Sequence, residues 1–361
     1  MSEPTEAWDL LIDRHHLTKT RLQETVVADP AAGHAVLRTS RVGLTANNAT
    51  YAVLGDTLRY WEFFPAPAGW GRVPLWGFAD VVASRADGVD VGQRVYGFLP
   101  TSSHLVVRPE RVGEHGFRDG AEHRSALPAV YNAYAETNAD PAYQAGSEDL
   151  QVLYRPLFIT SFTLAEQLRG AAADGARTLM FSSASSKTAY GTAALLQGGP
   201  KQVVGLTSPA NVAFTRSLGC YDRVLGYHEV DQLTVTPTAY VDVAGSQPLR
   251  ERVHARLRED VVLDVVVGVT HQDTGRASGL LGAKPTQFFA PEVIAARIAK
   301  WGRAGFDERY GVAWRSFAPR AQQWVDVVTG QGPARLREVW RQTVDGNVGP
   351  RTGNVVTFGP T

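Results

Sequence analysis

The stretch Arg177-Thr-Leu-Met-Phe-Ser-Ser-Ala-Ser-Ser-Lys-Thr-Ala-Tyr-Gly holds the side chains of this chain best placed to do chemistry. Arg177–Phe181 predicts a short apolar strand, followed by a turn of small hydroxyl residues and a helix from about Lys187. A helix N-terminus exposes unpaired N–H groups and the positive end of the dipole, which together favour an anion. Small residues let backbone approach a pyrophosphate, the task glycines perform in a dinucleotide fingerprint. Ser182, Ser185 and Thr188 stand at the three-residue spacing of such positions, Ser186 adds a hydroxyl, and Lys187 adds a point charge. Two plainer readings compete. The serines can simply cap the helix, or the strand and Ser-Lys-Thr can be a degenerate P-loop, although the glycines of that motif are missing.

The next strand, Gln202–Leu206, ends in Thr207, Ser208, Pro209, Ala210 and Asn211, with Arg216 about one helical turn beyond. An NAD site is expected to carry Asp or Glu here for the ribose 2′-hydroxyl. Neutral donors without a carboxylate tolerate a 2′-phosphate, so Thr207, Ser208, Asn211 and Arg216 point to NADP(H); a plain Ser or Asx turn is compatible with the same residues. His271 follows the apolar run Val261–Val269, on the side of a parallel sheet where ligands bind, and is a candidate acid or base as well as an incidental surface histidine.

These residues must be positioned by two kinds of element. From Glu24 to about Val112, short runs such as Ala35–Leu44, Asp80–Ser84, Gly92–Leu99 and His104–Pro109 are broken by Gly and Pro, which predicts a barrel-like β unit. Ala133–Gln151 reads as irregular, followed by a helix around Leu157–Ala171. Beyond it, strands near 177–181, 202–206, 223–225, 239–243 and 261–269 alternate with helices near 189–197, 211–218 and 248–257. That rhythm means βαβ units and a parallel sheet. Helices are expected at Pro291–Arg303, Trp314–Thr329 and Pro333–Asp345, then a strand at Gly353–Phe358. The domain boundaries expected are 1–155, 156–274 and a returning segment 275–361.

Composition narrows the function classes. The 36 basic and 36 acidic residues cancel, so no net field draws the chain to nucleic acid or anionic lipid. No stretch approaches the apolar length of a membrane span. The acidic, polar Met1–Glu6 carries no apolar region of a signal peptide, and a cytoplasmic location is expected. Cys220 is the single cysteine, which excludes internal disulfides and a Cys-rich zinc site; the nine histidines show no HxH or HExxH spacing, and no metal site is expected. The aromatics Tyr60, Trp61, Phe63, Phe64, Trp70 and Trp76 are dense enough to suggest a wall for a hydrophobic or planar substrate.

The order of a β-rich half, an inserted Rossmann unit and a returning tail resembles the medium-chain dehydrogenase/reductase superfamily, with its quinone and enoyl reductase branch the best match. Val91-Gly-Gln-Arg-Val-Tyr-Gly is similar to its GDRV strand, Leu218-Gly-Cys-Tyr-Asp to its LGAD turn, and Tyr240-Val-Asp-Val-Ala-Gly to its strand ending in a glycine turn. Tyr60–Pro65, Trp76–Val82, Ser182–Ala189 and Gln287–Pro291 together resemble a DUF2855-like subfamily. The resemblance implies a GroES-like β-barrel domain with an inserted doubly wound parallel Rossmann sheet, an α/β fold, and a homodimer that pairs Rossmann sheet edges near Val261–Val269. Zinc alcohol dehydrogenases of the superfamily carry Cys and Gly-His-Glu where this chain has Trp76-Gly-Phe-Ala-Asp, so a zinc-independent reaction is implied.

Thr45–Tyr51 resembles the stretch lining the active site of zinc-free relatives. It offers Tyr51 as general acid, with Asn47 or Asn48 as hydrogen-bond donor; a half-buried strand tyrosine is the alternative. Thr160-Ser-Phe is expected at the start of the helix entering the Rossmann unit, where the family packs residues against nicotinamide and where a capping pair is equally at home. The expected function is NADPH-dependent reduction of an activated C=C or carbonyl in a hydrophobic substrate. A non-redox lyase or cyclase on the same scaffold and a non-catalytic nucleotide-binding protein are the alternatives.

Overall fold

The computed structural model describes residues 5–170, 173–267 and 280–359. The chain divides into two units, residues 1–155 with 325–361, and residues 156–324.

The first unit opens with β1 (Thr5–Asp13) and β2 (Thr20–Val27), an antiparallel pair joined on the other edge of β1 by β4 (Trp70–Gly71). β3 (Ala35–Leu44) leads into the short helix α1 (Ala46–Val53), and after β4 come β5 (Leu75–Ser84), β6 (Arg94–Leu99), β7 (His104–Val107), β8 (Pro109–Gly113), β9 (Gly116–Asp119) and β10 (Ala133–Glu136). α2 (Glu148–Arg169) begins in this unit and continues into the second. The expected irregular stretch thus contains a strand and the first turns of a helix. Gly43 on β3 lies so close to the Val152 carbonyl that a side chain there would collide with α2.

The second unit contains β11 (Thr178–Phe181), α3 (Lys187–Leu196), β12 (Gln202–Thr207), α4 (Val212–Ser217), β13 (Arg223–Gly226), β14 (Thr238–Asp242), α5 (Gln247–Leu257), β15 (Val261–Val267), β16 (Pro285–Phe288) and the long α6 (Ala290–Trp324). Its strands are all parallel, in the order β13-β12-β11-β14-β15-β16. This is the doubly wound Rossmann order, with its topological switch between β11 and β14. Met180, Leu206, Leu225, Tyr240, Val253 and Val261 fill one side of the sheet.

The chain then returns through β17 (Asp326–Gln331), α7 (Gly332–Val344) and β18 (Thr352–Thr357). β18 pairs antiparallel with β3 and parallel with β17, completing the large sheet β17-β18-β3-β5-β6-β10-β9-β8, with β7 on β3. Leu336, Val339 and Trp340 of α7 join Leu10, Leu37, Leu75 and Val81 in the core, and Trp340 Nε1 donates to the Leu17 carbonyl at 2.8 Å. The architecture is α/β, a GroES-like β-barrel domain with an inserted Rossmann domain.

Three expectations need correction. The return to the first unit comes at Val325 rather than residue 275, because β16 extends the parallel sheet and α6 packs Phe306, Tyr310, Trp314 and Phe317 against Phe158 and Phe162 of α2. The helices expected at 291–303 and 314–329 are one helix, broken only at Gly302 (φ 72°), and residues 326–331 form a strand because β18 offers them a ladder. Val261–Val267 is no sheet edge, since β14 flanks one side and β16 the other.

Candidate functional site

In the first unit, the candidate residues gather on α1. Tyr51 sits on a helix, not a strand, one turn after Asn47, so the two side chains share a face. Asn47 Nδ2 donates to the Tyr51 phenol oxygen at 2.7 Å, and Trp76 Nε1, from β5, donates to the same oxygen at 3.2 Å. Tyr51 is buried and packs against Tyr60 at 4.5 Å and edge-on to Phe98 at 5.5 Å. Burial, then the neighbouring Tyr131 hydroxyl, holds its phenol well above the ordinary tyrosine range, opposed by the Trp76 and Asn47 hydrogen bonds. The group is a neutral phenol whose oxygen is loaded with two acceptor bonds. Among the described residues no hydrogen bond takes its own proton.

Asn48 does other work. Its Oδ1 accepts from the Thr45 amide at 2.8 Å, starting α1, and its Nδ2 donates to the Pro74 carbonyl at 3.1 Å. With both ends engaged and 3% exposure, it is a structural residue rather than a substrate donor. The expected aromatic wall also divides. Tyr60, Phe63 and Trp76 join Tyr51, whereas Trp61 is buried in the main core and Trp70 carries Arg21 over its ring. Tyr131, whose hydroxyl lies 3.2 Å from that of Tyr60, and Phe98 complete the cluster. Nothing local in sequence signals Tyr131, which reaches Tyr60 across 71 positions. Burial pushes the Tyr60 phenol up to about 12 and that of Tyr131 well above the ordinary value.

In the second unit, the serine turn closes the C-terminal end of β11 at the switch between β11 and β14. Ser182 is fully buried, donates to Asp242 Oδ1 at 2.6 Å and accepts from the Val243 and Ala244 amides at 2.9 Å. This corrects its expected role, because its hydroxyl has neither proton nor exposure left for a phosphate. Asp242 also takes Arg250 Nη2 at 2.7 Å, and Arg250, Asp264 and His254 extend the network, with 3.2 and 2.9 Å contacts to Asp264. Each of these four side chains is less than one-tenth exposed. Ser183 is left-handed (φ 48°), a conformation that disfavours a Cβ. Its amide donates to Tyr227 Oη at 3.1 Å, and its carbonyl accepts from the Ser186 amide at 2.8 Å. Ala184 packs under the turn because Gly205 leaves room; a Cβ on Gly205 would stand 2.8 Å from that of Ala184.

Ser185 behaves differently. Its oxygen accepts from Thr207 Oγ1 at 3.3 Å and from Asn211 Nδ2 at 3.1 Å, bringing the ends of β11 and β12 together. Its own proton goes to no acceptor among the described residues. Ser208 caps the short turn Pro209–Asn211 without a side-chain bond. Ser186 is the N-cap of α3 and accepts from the Ala189 amide at 3.3 Å, so one of the four serines does what the capping reading required. Lys187 is the first helical residue, and burial lowers its ammonium to about 8. Thr188 contributes its carbonyl to Ser161 at 2.9 Å and to Thr192 at 2.8 Å. Arg216 turns away from the Ser185 cluster to the Val224 carbonyl at 3.4 Å.

Thr160 and Ser161 lie in the interior of α2, not at its start, because the helix begins at Glu148. Ser161 is fully buried and bonds the Leu157 and Thr188 carbonyls; the Thr160 carbonyl takes the Thr163 hydroxyl at 3.1 Å. Neither is a cap, and Ser161 instead locks α2 to the first turn of α3. His271 lies outside the described residues. Among the described residues no group of three or more His, Cys, Asp or Glu side chains is placed to hold a metal ion, and no helix is long and apolar enough to cross a membrane.

Solved structures share this fold at low sequence identity. CurA from Vibrio vulnificus in complex with NADPH superposes with a TM-score of 0.60 at 10% identity, covering 99% of this chain and 100% of that one. The quinone oxidoreductase from Coxiella burnetii gives 0.58 at 13% identity over 98% and 99%. A point mutant of Etr1p in complex with NADP and crotonyl-CoA gives 0.60 at 11% identity over 98% and 100%. No curated protein matches the sequence. Residues 42–349 match the family model described as "Protein of unknown function (DUF2855)". With that match spanning most of its length, the chain belongs to the DUF2855 family, built on the medium-chain dehydrogenase/reductase fold.

Proposed function

We propose that the protein is a zinc-independent oxidoreductase that uses NADP(H) to reduce an activated C=C or carbonyl group in a small hydrophobic substrate. The observation that carries this reading is the Tyr51 phenol, whose oxygen receives two N–H bonds while its own proton is unclaimed among the described residues. Such a group can only donate to an incoming oxygen. The Asn47 and Trp76 bonds stabilise negative charge on the phenol as the proton departs, which suits a general acid. Tyr60, Trp76, Phe98 and Tyr131 surround it with apolar ring surface and keep water from competing for that proton.

The second unit supports the cofactor assignment on its own residues. Ser185 has a proton to give, Thr207 and Asn211 hold its oxygen, and no carboxylate follows β12 to repel a 2′-phosphate. Lys187 and the N-terminus of α3 follow directly in the chain, and a helix N-terminus favours an anion. NADPH, when bound, supplies the hydride. The names of the CurA and Etr1p complexes, which hold NADPH and NADP, point the same way.

The test is calorimetric titration with NADPH and, separately, NADH, followed by a spectrophotometric screen of enones and quinones for NADPH oxidation. Selective micromolar binding of NADPH with turnover is expected. Binding without turnover of any enone or quinone would favour a non-redox enzyme, and no binding of either dinucleotide would remove the reductase reading.

A further inference from the structure

Tyr60 and Tyr131 pack in the cluster around the Tyr51 phenol, and the reductase reading uses them only as ring surface. Rings alone would be served as well by phenylalanine, which fills the same space without bringing a hydroxyl into an apolar cluster. The two phenols instead meet each other, oxygen to oxygen, at 3.2 Å. In that contact one hydroxyl gives its proton and the other receives it. Whichever way it runs, the receiving phenol keeps its own proton, and among the described residues no other hydrogen bond takes it. The pair therefore carries a donor of the same kind as Tyr51, with its oxygen occupied and its proton unclaimed.

Both phenols are partly exposed, whereas Tyr51 is 6% exposed. The ring of Tyr60 lies 4.5 Å from that of Tyr51. After burial, the largest influence on the Tyr51 phenol is Tyr131, and on the Tyr60 phenol it is Tyr51, so the three hydroxyls are within electrostatic reach of one another. The turns that carry the pair are pinned. Tyr60 opens the turn Tyr60–Glu62, where Glu62 accepts from Arg59 Nε at 2.8 Å and Nη2 at 2.6 Å. Arg59 Nη1 also reaches the Ala126 carbonyl at 3.4 Å, in the segment that leads to Tyr131. Tyr131 lies in the turn Ala129–Asn132, where the fully buried Asn132 donates to the Arg124 carbonyl at 3.1 Å. Two held donors in one aromatic cluster match a ligand with two acceptors on a flat apolar body.

We infer that the Tyr60–Tyr131 pair is a second hydrogen-bond donor of the Tyr51 site and selects substrates that carry a second carbonyl oxygen on the same planar apolar body. This rests on the reading of Tyr51 as the group that meets the substrate carbonyl.

Two readouts on the whole protein test it. Without cofactor, ligand-observed NMR compares N-methylphthalimide, which has two ring carbonyls, with N-methylisoindolinone, which has one. The wild type should bind the first about three- to tenfold more tightly, the worth of one net hydrogen bond. Tyr60→Phe/Tyr131→Phe keeps both rings and should abolish that preference. Each single variant leaves one phenol with its proton and should retain part of it. Equal affinities in the wild type, a preference that survives in the double variant, or no binding of either compound overturns the inference. With NADPH present, the ratio of kcat/KM for cyclohexenedione to that for cyclohexenone should fall about three- to tenfold in the double variant. An unchanged ratio also overturns it. If neither ring is reduced while the binding preference is present and vanishes in the double variant, the reductase reading fails and the second donor stands.

Discussion

The aromatic cluster around Tyr51 and the serine turn after β11 both offer hydroxyl groups, but the fold uses them in opposite ways. Tyr51 accepts two hydrogen bonds and keeps its proton. Ser182 gives its proton to Asp242 and accepts two amides, which leaves it nothing to offer a ligand. Within the turn the contrast recurs over three residues, since Ser185 is loaded as an acceptor in the manner of Tyr51. A hydroxyl is ready for a ligand when its oxygen is occupied and its proton is not. Residue type alone does not reveal which case applies.

The largest effect is expected at Tyr51. Tyr51→Phe keeps the ring packing and removes only the hydroxyl, so kcat should fall by about 10²–10⁴-fold with NADPH affinity unchanged in calorimetry. An unchanged kcat would return Tyr51 to a packing role. The next largest effect is expected at the buried network. Asp242→Ala removes the 2.7 Å partner of Arg250, leaving it only the 3.2 Å contact to Asp264, and takes the acceptor from Ser182, so it should cost about 3–5 kcal/mol of stability in chemical denaturation; a loss below about 1 kcal/mol would show that the network relaxes without it.

Lys187 probes the same contrast through pH. Its ammonium has an ordinary value of 10.5 and is held at about 8 by burial. If it pairs with a cofactor phosphate, NADPH affinity should weaken as pH rises through about 8, and Lys187→Met should be weaker by about 1–3 kcal/mol at neutral pH and flat across that range. Stability runs the other way. Between about 8 and 10.5 the unfolded chain binds the proton that the folded chain has released, so this residue makes the fold more stable as pH rises there. A pH-independent dissociation constant in the wild type would remove Lys187 from the phosphate site.

The smallest effects come from the paired serines. Ser185→Ala should weaken NADPH by about 0.5–1.5 kcal/mol without changing stability much. Ser182→Ala should do the reverse, lowering stability by about 1–3 kcal/mol because a buried carboxylate loses a donor. Equal effects of both on binding would erase the distinction drawn between them.

Local pattern carried much of the fold. The Rossmann alternation is legible from 177 to 267 because parallel strands buried on both faces read as short apolar runs, and α3 and α5 start after Ser186 and Ser246, whose side chains cap them. It failed where partners decide. Residues 326–331 form a strand because β18 lies beside them, and α2 starts at Glu148, where Arg94 binds Glu148 through Nε at 2.7 Å and Nη2 at 2.8 Å. Thr160 and Ser161 were readable as small polar residues on a helix, but their place in its interior follows from where that helix begins.

The alternating order of strands and helices in the second unit, the serine turn, the neutral end of β12 and the family are written in the linear chain, because each depends on residues within a few positions of one another. Which hydroxyls retain a proton is settled by packing alone. Ser182 meets Asp242 across 60 positions, Tyr51 meets Trp76 across 25, and Tyr60 meets Tyr131 across 71. A hydrogen bond assigns a proton to one partner and denies it to others, and those partners are brought together by contacts between distant strands and helices.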